Sequence, residues 1–428
     1  SVDGDLIALS SGWKTDNRFD INVFTGSKTV SFYKTINNKK ITKDLTFYPN
    51  RYVVDIIINM SRASEYISQN VASISWQNGL PLTEPNINDE LTYYSAVVYQ
   101  GDESYYPKTK PKGQAKLEKM LYPTDWAGVR TKYFFSALVP EEKAAGAEVL
   151  AIEEGNLKEY SVGLLFNTLS PFNLSLYLGP LEYNRIKTLG KNLDQIMNFG
   201  WAFIRPISKG VHWVLLFLYN YIPNYGFVLL IFSVLIKILV YPLTSKSLNS
   251  TRKMQAIQPL LNDLKEKHKN DQRKFAQAQM ALFKEHGVNP LSGCVPVLLQ
   301  MPLLFALFTV FRSSIELRGE PFILWIQDLS RPDVVLDLGI NLPLYGSGVA
   351  ILPLLMGITM FIQMKSAPTG QSAAQQKFMM YFMNGFFILI FNQFPSGLVL
   401  YYTLFNVLTI IQQKYLTAVS EQNKDKNK

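Results

Sequence analysis

A single cysteine, Cys294, and three histidines, His212, His268 and His286, are all that this chain offers of the residue types that staple small folds, bind zinc or act as general bases. One cysteine excludes an internal disulfide framework and a Cys-based metal cluster. The histidines lie outside every apolar run of membrane length, and Cys294 has no histidine partner on its own helix. A hydrolase working inside the membrane would lack its nucleophile and base. Charge is scarce as well: 18% of residues are charged against 48% hydrophobic. That balance is too apolar for a purely soluble protein and too polar for one wholly embedded in lipid, so the chain should be part soluble and part embedded. The formal net charge of +9 gathers in loops beside apolar segments, where basic residues set topology and meet anionic lipid. No nucleic-acid partner is expected.

Residues 1–192 alternate and turn, with runs such as TVSFYKTI, RYVVDIIINM, KYFFSALV, YSVGLLF and LSLYLG separated by Gly, Pro, Asn and Asp. They predict a β-sandwich domain, stable without disulfides. Within it YPKTKPKG reads as a solvated loop. From residue 193 the pattern becomes helical. A linking region, 193–225, contains WAFIRPISKGVHWVLLFLYNYI, which mixes aromatics with Arg205, Lys209 and His212. It reads as an amphipathic helix lying in a membrane interface, or as a soluble helix capping the sandwich.

Five spans follow at about 226–243, 291–311, 348–364, 377–394 and 396–415, each near the length that crosses roughly 30 Å of hydrocarbon. Lys237 is the one charged residue deep inside any of them. A lysine at the centre of a membrane helix costs about 2.5–3.5 kcal/mol, and such residues face a bundle interior or wet cavity unless the ammonium snorkels to a surface. The connection that follows, 245–290, carries nine Lys and Arg residues against four Asp and Glu, which places it in the cytoplasm. The helix bearing Lys237 then runs from outside to inside. Because side chains tilt toward a helix's N-terminus, Lys237 leans toward the bilayer centre, against the easiest snorkelling route. The acidic connection 313–347, anchored by Phe322 and Trp325, belongs outside. Span parity agrees with an outside N-terminal domain and an inside C-terminus. An exported domain needs a signal or anchor ahead of it, so more residues are expected upstream of Ser1.

In the basic connection Met254, Ile257, Leu261 and Leu264 recur at helical spacing, KHKNDQ interrupts, and Phe275, Gln279, Leu282 and Phe283 continue. This predicts a helical hairpin over 245–290, kinked in its first arm at Pro259 and without an evident core of its own. It is either a swinging unit that touches partners or a passive connector.

VYPLT (240–244), IQPLL (257–261), VNPLSGCVPVLLQMPLLFALF (288–308), PFILWIQDLS (321–330) and FPSGLVLYY (394–402) stand in the order and at the spacing of one family. The chain resembles the YidC membrane-protein insertases. DWAGVRTKYFFSALVP (125–140) and LYLGP (176–180) resemble the periplasmic β-supersandwich of Gram-negative members, which also carry an N-terminal anchor. The resemblance implies a multi-domain protein of the bacterial inner membrane, with a periplasmic β-supersandwich, a five-helix transmembrane bundle and a cytoplasmic helical hairpin. It implies an insertase and folding chaperone rather than an enzyme, needing no cofactor or metal, acting alone or with the Sec translocon. Its partners would be nascent membrane proteins and the lipid bilayer, with the Sec translocon, ribosome and signal-recognition components as candidates.

The family's spans form a hydrophilic groove open to the cytoplasm and to lipid but closed to the outside. A positive residue of the first core span lies in it, and Lys237 takes that place here. The family commonly has arginine there. Lysine is a point charge that loses its proton more readily when desolvated, so the expectation is electrostatic action in a hydrated groove. By helical spacing Ser233 shares the face of Lys237, while Tyr402, Asn406, Thr409 and Gln413 form a polar stripe in the last span. Gln300 and Gln363 offer amides on two other spans. Each of these either lines the groove or joins helices. Met379, Met380 and Met383 suit an apolar slide for substrate segments, or ordinary packing. A secondary transporter or channel is the alternative, but no span contains Asp, Glu or His to couple ions. A carbohydrate-binding role for the sandwich rests on fold analogy alone.

Overall fold

The computed structural model describes residues 9, 11–16, 22–109, 114–155, 157–197, 199–269, 271–287, 295–365 and 373–426. Side chains are described for these except 243, 246–252, 255, 295–299, 373–376, 379 and 416–426. The chain divides into two compact units, Ser1–Met197 and Asn198–Lys428.

The first unit is built from short alternating strands. In chain order they are β1 (Lys14–Thr15), β2 (Lys28–Ile36), β3 (Lys39–Phe47), β4 (Val53–Asn59), β5 (Val71–Trp76) and, after the short helix α1 (Ile87–Leu91), β6 (Ser95–Gln100). There follow β7 (Glu103–Tyr105), β8 (Lys116–Met120), β9 (Thr124–Arg130), β10 (Phe134–Pro140), β11 (Gly146–Glu154), β12 (Leu157–Asn167) and β13 (Phe172–Pro180). A nine-stranded sheet runs β1-β2-β3-β4-β13-β10-β9-β6-β7, and a four-stranded sheet runs β5-β12-β11-β8. Their inward positions share one core: Ile41, Ile58, Val98, Val129 and Leu138 from the first sheet meet Ala147, Val149, Val162 and Leu164 from the second. This is the hydrophobic-in pattern of a two-sheet sandwich. The helix α2 (Tyr183–Thr188) and a 3-10 turn at Leu193–Ile196 close the unit. Buried Arg130 holds that turn by donating to the Ile196 carbonyl.

The second unit is helical. α3 (Arg205–Tyr219) buries Val211 and Leu215 and exposes Trp213 and Phe217, so one face packs and the other is aromatic and open. α4 (Tyr225–Ala256), α5 (Gln258–Lys267), α6 (Gln272–Glu285) and α7 (Val295–Ser313) follow. Next comes a two-stranded antiparallel hairpin, β14 (Val334–Leu342) with β15 (Gly346–Ala350), then α8 (Ile351–Lys365), α9 (Ala373–Phe391) and α10 (Ser396–Lys426). Buried Val228, Phe232, Phe311, Leu352, Met356, Val399 and Tyr401 make the core that joins α4, α7, α8 and α10.

Two local expectations are corrected and one is refined. The first arm is interrupted beside Pro259: α4 ends at Ala256, the break falls at Ile257, and Pro259 stands in the first turn of α5, where its missing N–H costs no helical bond. The hairpin of α5 and α6 does have a small core, formed by Met254, Ile257, Leu261 and Phe283. The third helix expected to start at 348 starts at Ile351, because Gly346–Ala350 is recruited as a strand by β14. Motif residues 288–294, Cys294 among them, lie outside the described residues, as do the side chains of Lys246 and Arg252.

Gly226 shows how tightly one end of the bundle is shut. A Cβ there would stand 1.8 Å from the Phe322 ring. Gly226→Ala should therefore cost about 1–3 kcal/mol, the usual range for overpacking. The check is a lowered melting temperature in detergent together with faster proteolysis within 314–333. Unchanged values for both would show that Phe322 does not rest on Gly226.

Candidate functional site

Among the described residues one helical segment, Tyr225–Pro242 of α4, is long and apolar enough to cross a membrane by length and composition. Ile351–Lys365 and Met380–Phe391 are shorter apolar helices. Lys237 lies near the end of the first of these and is 8% exposed. Its Nζ donates to Thr409 Oγ1 of α10 at 2.8 Å and sits 4.6 Å from the centroid of the Phe405 ring. Thr409 in turn donates its own proton to the Phe405 carbonyl at 2.7 Å, which leaves a lone pair aimed at the ammonium. No carboxylate pairs with Lys237 among the described residues. A charged hydrogen bond contributes about 1.5–3 kcal/mol and a desolvated cation–π contact about 2. Together they offset a burial cost of about 2.5–3.5 kcal/mol without neutralising the charge.

The polar residues named with Lys237 do not form one lining. Ser233 is fully buried and its hydroxyl is turned back to the Leu229 carbonyl at 2.7 Å, as serines in apolar helices commonly do. Of the α10 stripe, Thr409 meets α4, Asn406 points to Thr359 of α8 at 3.5 Å, and Tyr402 packs edge-on against Phe391 of α9. Gln413 is half-buried, and it is its neighbour Gln412 that reaches α4, donating to Thr244 Oγ1 at 3.2 Å. Gln300 and Gln363 are half-buried and neither bonds to Lys237. Among the described residues the hydroxyl of Tyr402, Oε1 of Gln363, Oδ1 of Asn384 and Oε1 of Gln412 are buried and meet no hydrogen-bond partner. Met380 and Met383 are half-buried, and the side chain of Met379 lies outside the described residues. The open face of α9 is aromatic instead: Phe378, Phe382 and Phe386 stack at successive turns with centroids 5.7 and 6.2 Å apart.

Sequence reasoning missed the residues that close the opposite end of the bundle from the α5–α6 hairpin. Leu317, Ile326 and Leu329 of the 314–333 connection are buried in the helical core. The PFILWIQDLS and FPSGLVLYY motifs meet there: Ser396 N donates to the Arg331 carbonyl at 2.7 Å and Gly397 N to the Leu329 carbonyl at 3.0 Å. His212 of α3 and Glu316 approach to 3.3 Å. Asp333 accepts from Trp325 Nε1 and from Leu352 N at the start of α8, both at 2.8 Å. Asn392, just beyond α9, accepts from Ala350 N and donates to the Tyr345 and Gly348 carbonyls. Only the polar residues flanking apolar spans could have hinted at these roles.

Burial holds the Asp333 carboxyl above the ordinary aspartate range, and the bonds from Trp325 and Leu352 offset this only in part. A group that binds its proton more tightly when folded lends stability that is complete below its unfolded pKa, near ~3.9, and lost as pH rises through the folded value. The melting advantage of the wild-type chain over Asp333→Asn should therefore grow on acidification from about pH 6 to about pH 4. A difference independent of pH would show that Asp333 titrates as it does in water.

Among the described residues no group of three or more His, Cys, Asp or Glu could hold a metal ion. A sheet-rich unit is followed by a helical unit whose one long apolar helix among the described residues carries a buried cation. The model of the 60Kd inner membrane protein family matches residues 217–424, and that of the YidC periplasmic domain matches residues 10–214. The membrane protein insertase YidC of Chlorobium luteolum is 40% identical over 391 residues, covering 89% of this chain and 67% of that protein. Its namesake in Chlorobium limicola is 40% identical over 382 residues, covering 87% of this chain and 65% of that protein. The one from Chloroherpeton thalassium is 38% identical over 421 residues, covering 92% and 70%. A solved structure of an active YidC insertase with its first transmembrane domain resolved is similar with a TM-score of 0.44 and 20% identity, covering 90% of this chain and 76% of that one. The chain belongs to the YidC membrane protein insertase family, and it spans about two thirds of the length of these relatives.

Proposed function

We propose that this chain inserts newly made proteins into the bacterial inner membrane and assists their folding. The observation that carries the reading is Lys237, a cation without a carboxylate partner among the described residues, buried at the seam of α4 and α10 within the apolar segment Tyr225–Pro242. Moving a polar or acidic segment through hydrocarbon leaves backbone groups and charges unsatisfied, at several kcal/mol each. A fixed cation part-way across lowers that barrier for an acidic segment. The apolar part of the substrate meanwhile leaves along an open helix face, for which the aromatic ladder of α9 is better placed than Met380 or Met383. In this reading α4, α7, α8, α9 and α10 are five spans, the first unit is periplasmic, and α5, α6 and the C-terminus are cytoplasmic. The packed 314–333 connection then closes the periplasmic end. Sec translocon, ribosome and signal-recognition components are partners that such a protein would meet.

The test is photocrosslinking of a stalled single-span nascent chain to probes at Thr409 and Phe382, with Leu157 of the first unit as control. The polar tail should label Thr409 and the apolar segment Phe382. Labelling confined to loops and to Leu157 would sink the proposal.

A further inference from the structure

All nine residues of β14 are exposed, and six of them are aliphatic: Val334, Val335, Leu336, Leu338, Ile340 and Leu342. Pairing with β15 is irregular between Val334 and Leu336 and between Asp337 and Leu342, so it is the exposed cluster rather than a single strand face that is apolar. Ile340 is 61% exposed. Ile323 and Leu324 of the same connection are also open, Leu324 at 80%. A chain in water buries such a cluster, and an apolar patch of this extent marks an interaction surface. We propose that the β14–β15 hairpin lies in the interface of the periplasmic leaflet, with its aliphatic residues in lipid, as a monotopic foot of the membrane unit. The inference rests on the span assignment proposed above.

Continuity names lipid as the occupant. β15 ends at Ala350 and α8 begins at Ile351 with no residue between, and α8 presents exposed Leu354, Leu355, Ile358 and Ile362 in the turns that follow. Asn392 ties both ends of β15, from Tyr345 in the turn to Ala350, to the end of α9, so the aliphatic cluster of β14 lies beside the ends of two membrane helices. Charge narrows the choice further. Asp337 is the one charged residue in 334–350, so the hairpin has no cation for an anionic headgroup or an acidic peptide. Depth follows from backbone chemistry. A two-stranded hairpin has open edges, which hydrocarbon does not tolerate, whereas water and headgroups at the interface satisfy them. The aliphatic side chains therefore dip about 5–10 Å, the depth of interfacial elements, and do not cross.

The experiment uses the full chain in a Cys294→Ser background, labelled with bimane at Leu336→Cys, Ile340→Cys, Ile358→Cys or Leu157→Cys. The variants are reconstituted in phosphatidylcholine and phosphatidylethanolamine vesicles, with or without phosphatidylglycerol. Labels at 336 and 340 should emit at shorter wavelength than the label at 157, lose most of its iodide quenching, and be quenched by shallow doxyl lipids more than by deep ones. Phosphatidylglycerol should leave these values unchanged. If 358 is quenched by lipid while 340 stays as open to iodide as 157, the hairpin inference falls and the span assignment stands. If 358 is not quenched by lipid, the span assignment falls with it. Protection of 340 from iodide without lipid quenching points to a protein cover and overturns the lipid foot.

Discussion

Lys237→Ala is expected to slow insertion of a single-span substrate with an acidic translocated tail by about a hundredfold, and to leave a neutral-tailed substrate nearly unaffected. A carboxylate about 6 Å from a fixed ammonium gains about 3 kcal/mol at an effective dielectric near 20, and each ~1.4 kcal/mol is a factor of ten in rate. Lys237→Glu reverses the sign of the interaction and should lower the acidic substrate further. Lys237→Arg keeps the charge, can stack on Phe405 and still reaches Thr409, so it should retain most of the activity. Melting temperatures for the three variants separate lost function from lost fold, because alanine removes a buried charge but also the packed stem of the side chain. Equal insertion of the acidic substrate by the alanine and wild-type chains would falsify a role for the charge.

The second large effect is expected at Asn392. Its side chain is buried and meets three backbone groups at once, the Ala350 N–H at 3.0 Å and the Tyr345 and Gly348 carbonyls at 2.7 Å each. Leucine has similar volume and none of these bonds. Leaving three buried backbone groups unpaired costs roughly 3–6 kcal/mol at about 1–2 kcal/mol each. Asn392→Leu should therefore loosen the joint between the hairpin and the start of α8 before the rest of the bundle opens. Amide exchange at Ala350 reads this directly, and it should accelerate by about two orders of magnitude for every ~2.7 kcal/mol lost locally. Unchanged exchange there, with a normal rate elsewhere in α8, would show that the hairpin holds its place without Asn392.

How much of this was legible beforehand differs from residue to residue. Lys237 was legible because a charge in hydrocarbon is expensive and therefore conspicuous in one helix read alone. Its partner Thr409 was named among several candidates, since helical spacing marks a face of α10 but does not say which neighbour that face meets. The same spacing placed Ser233 beside Lys237, and the Leu229 carbonyl then claimed its hydroxyl. Met383 and Met380 drew attention by softness, yet the open surface of α9 is set by which side the bundle covers, and Phe378, Phe382 and Phe386 fall on the other. The hairpin was not seen at all. VVLDLGINL alternates as a strand should, but its partner GSGVA has the composition of a loop, and a two-stranded pair depends on both.

By itself the sequence determined that a strand-rich part precedes a helical one, which segments are apolar enough for lipid, and that one cation among them demands a reason. These follow from periodicity and transfer energy, which act locally along the chain. Only the tertiary structure decided that Lys237 rests on Thr409 and Phe405, that Asp333 and Asn392 pin the ends of α8 and α9, and that Phe322 is seated on Gly226. Those pairings join residues tens to more than a hundred positions apart, and they depend on how whole helices pack rather than on any property of the residues between them.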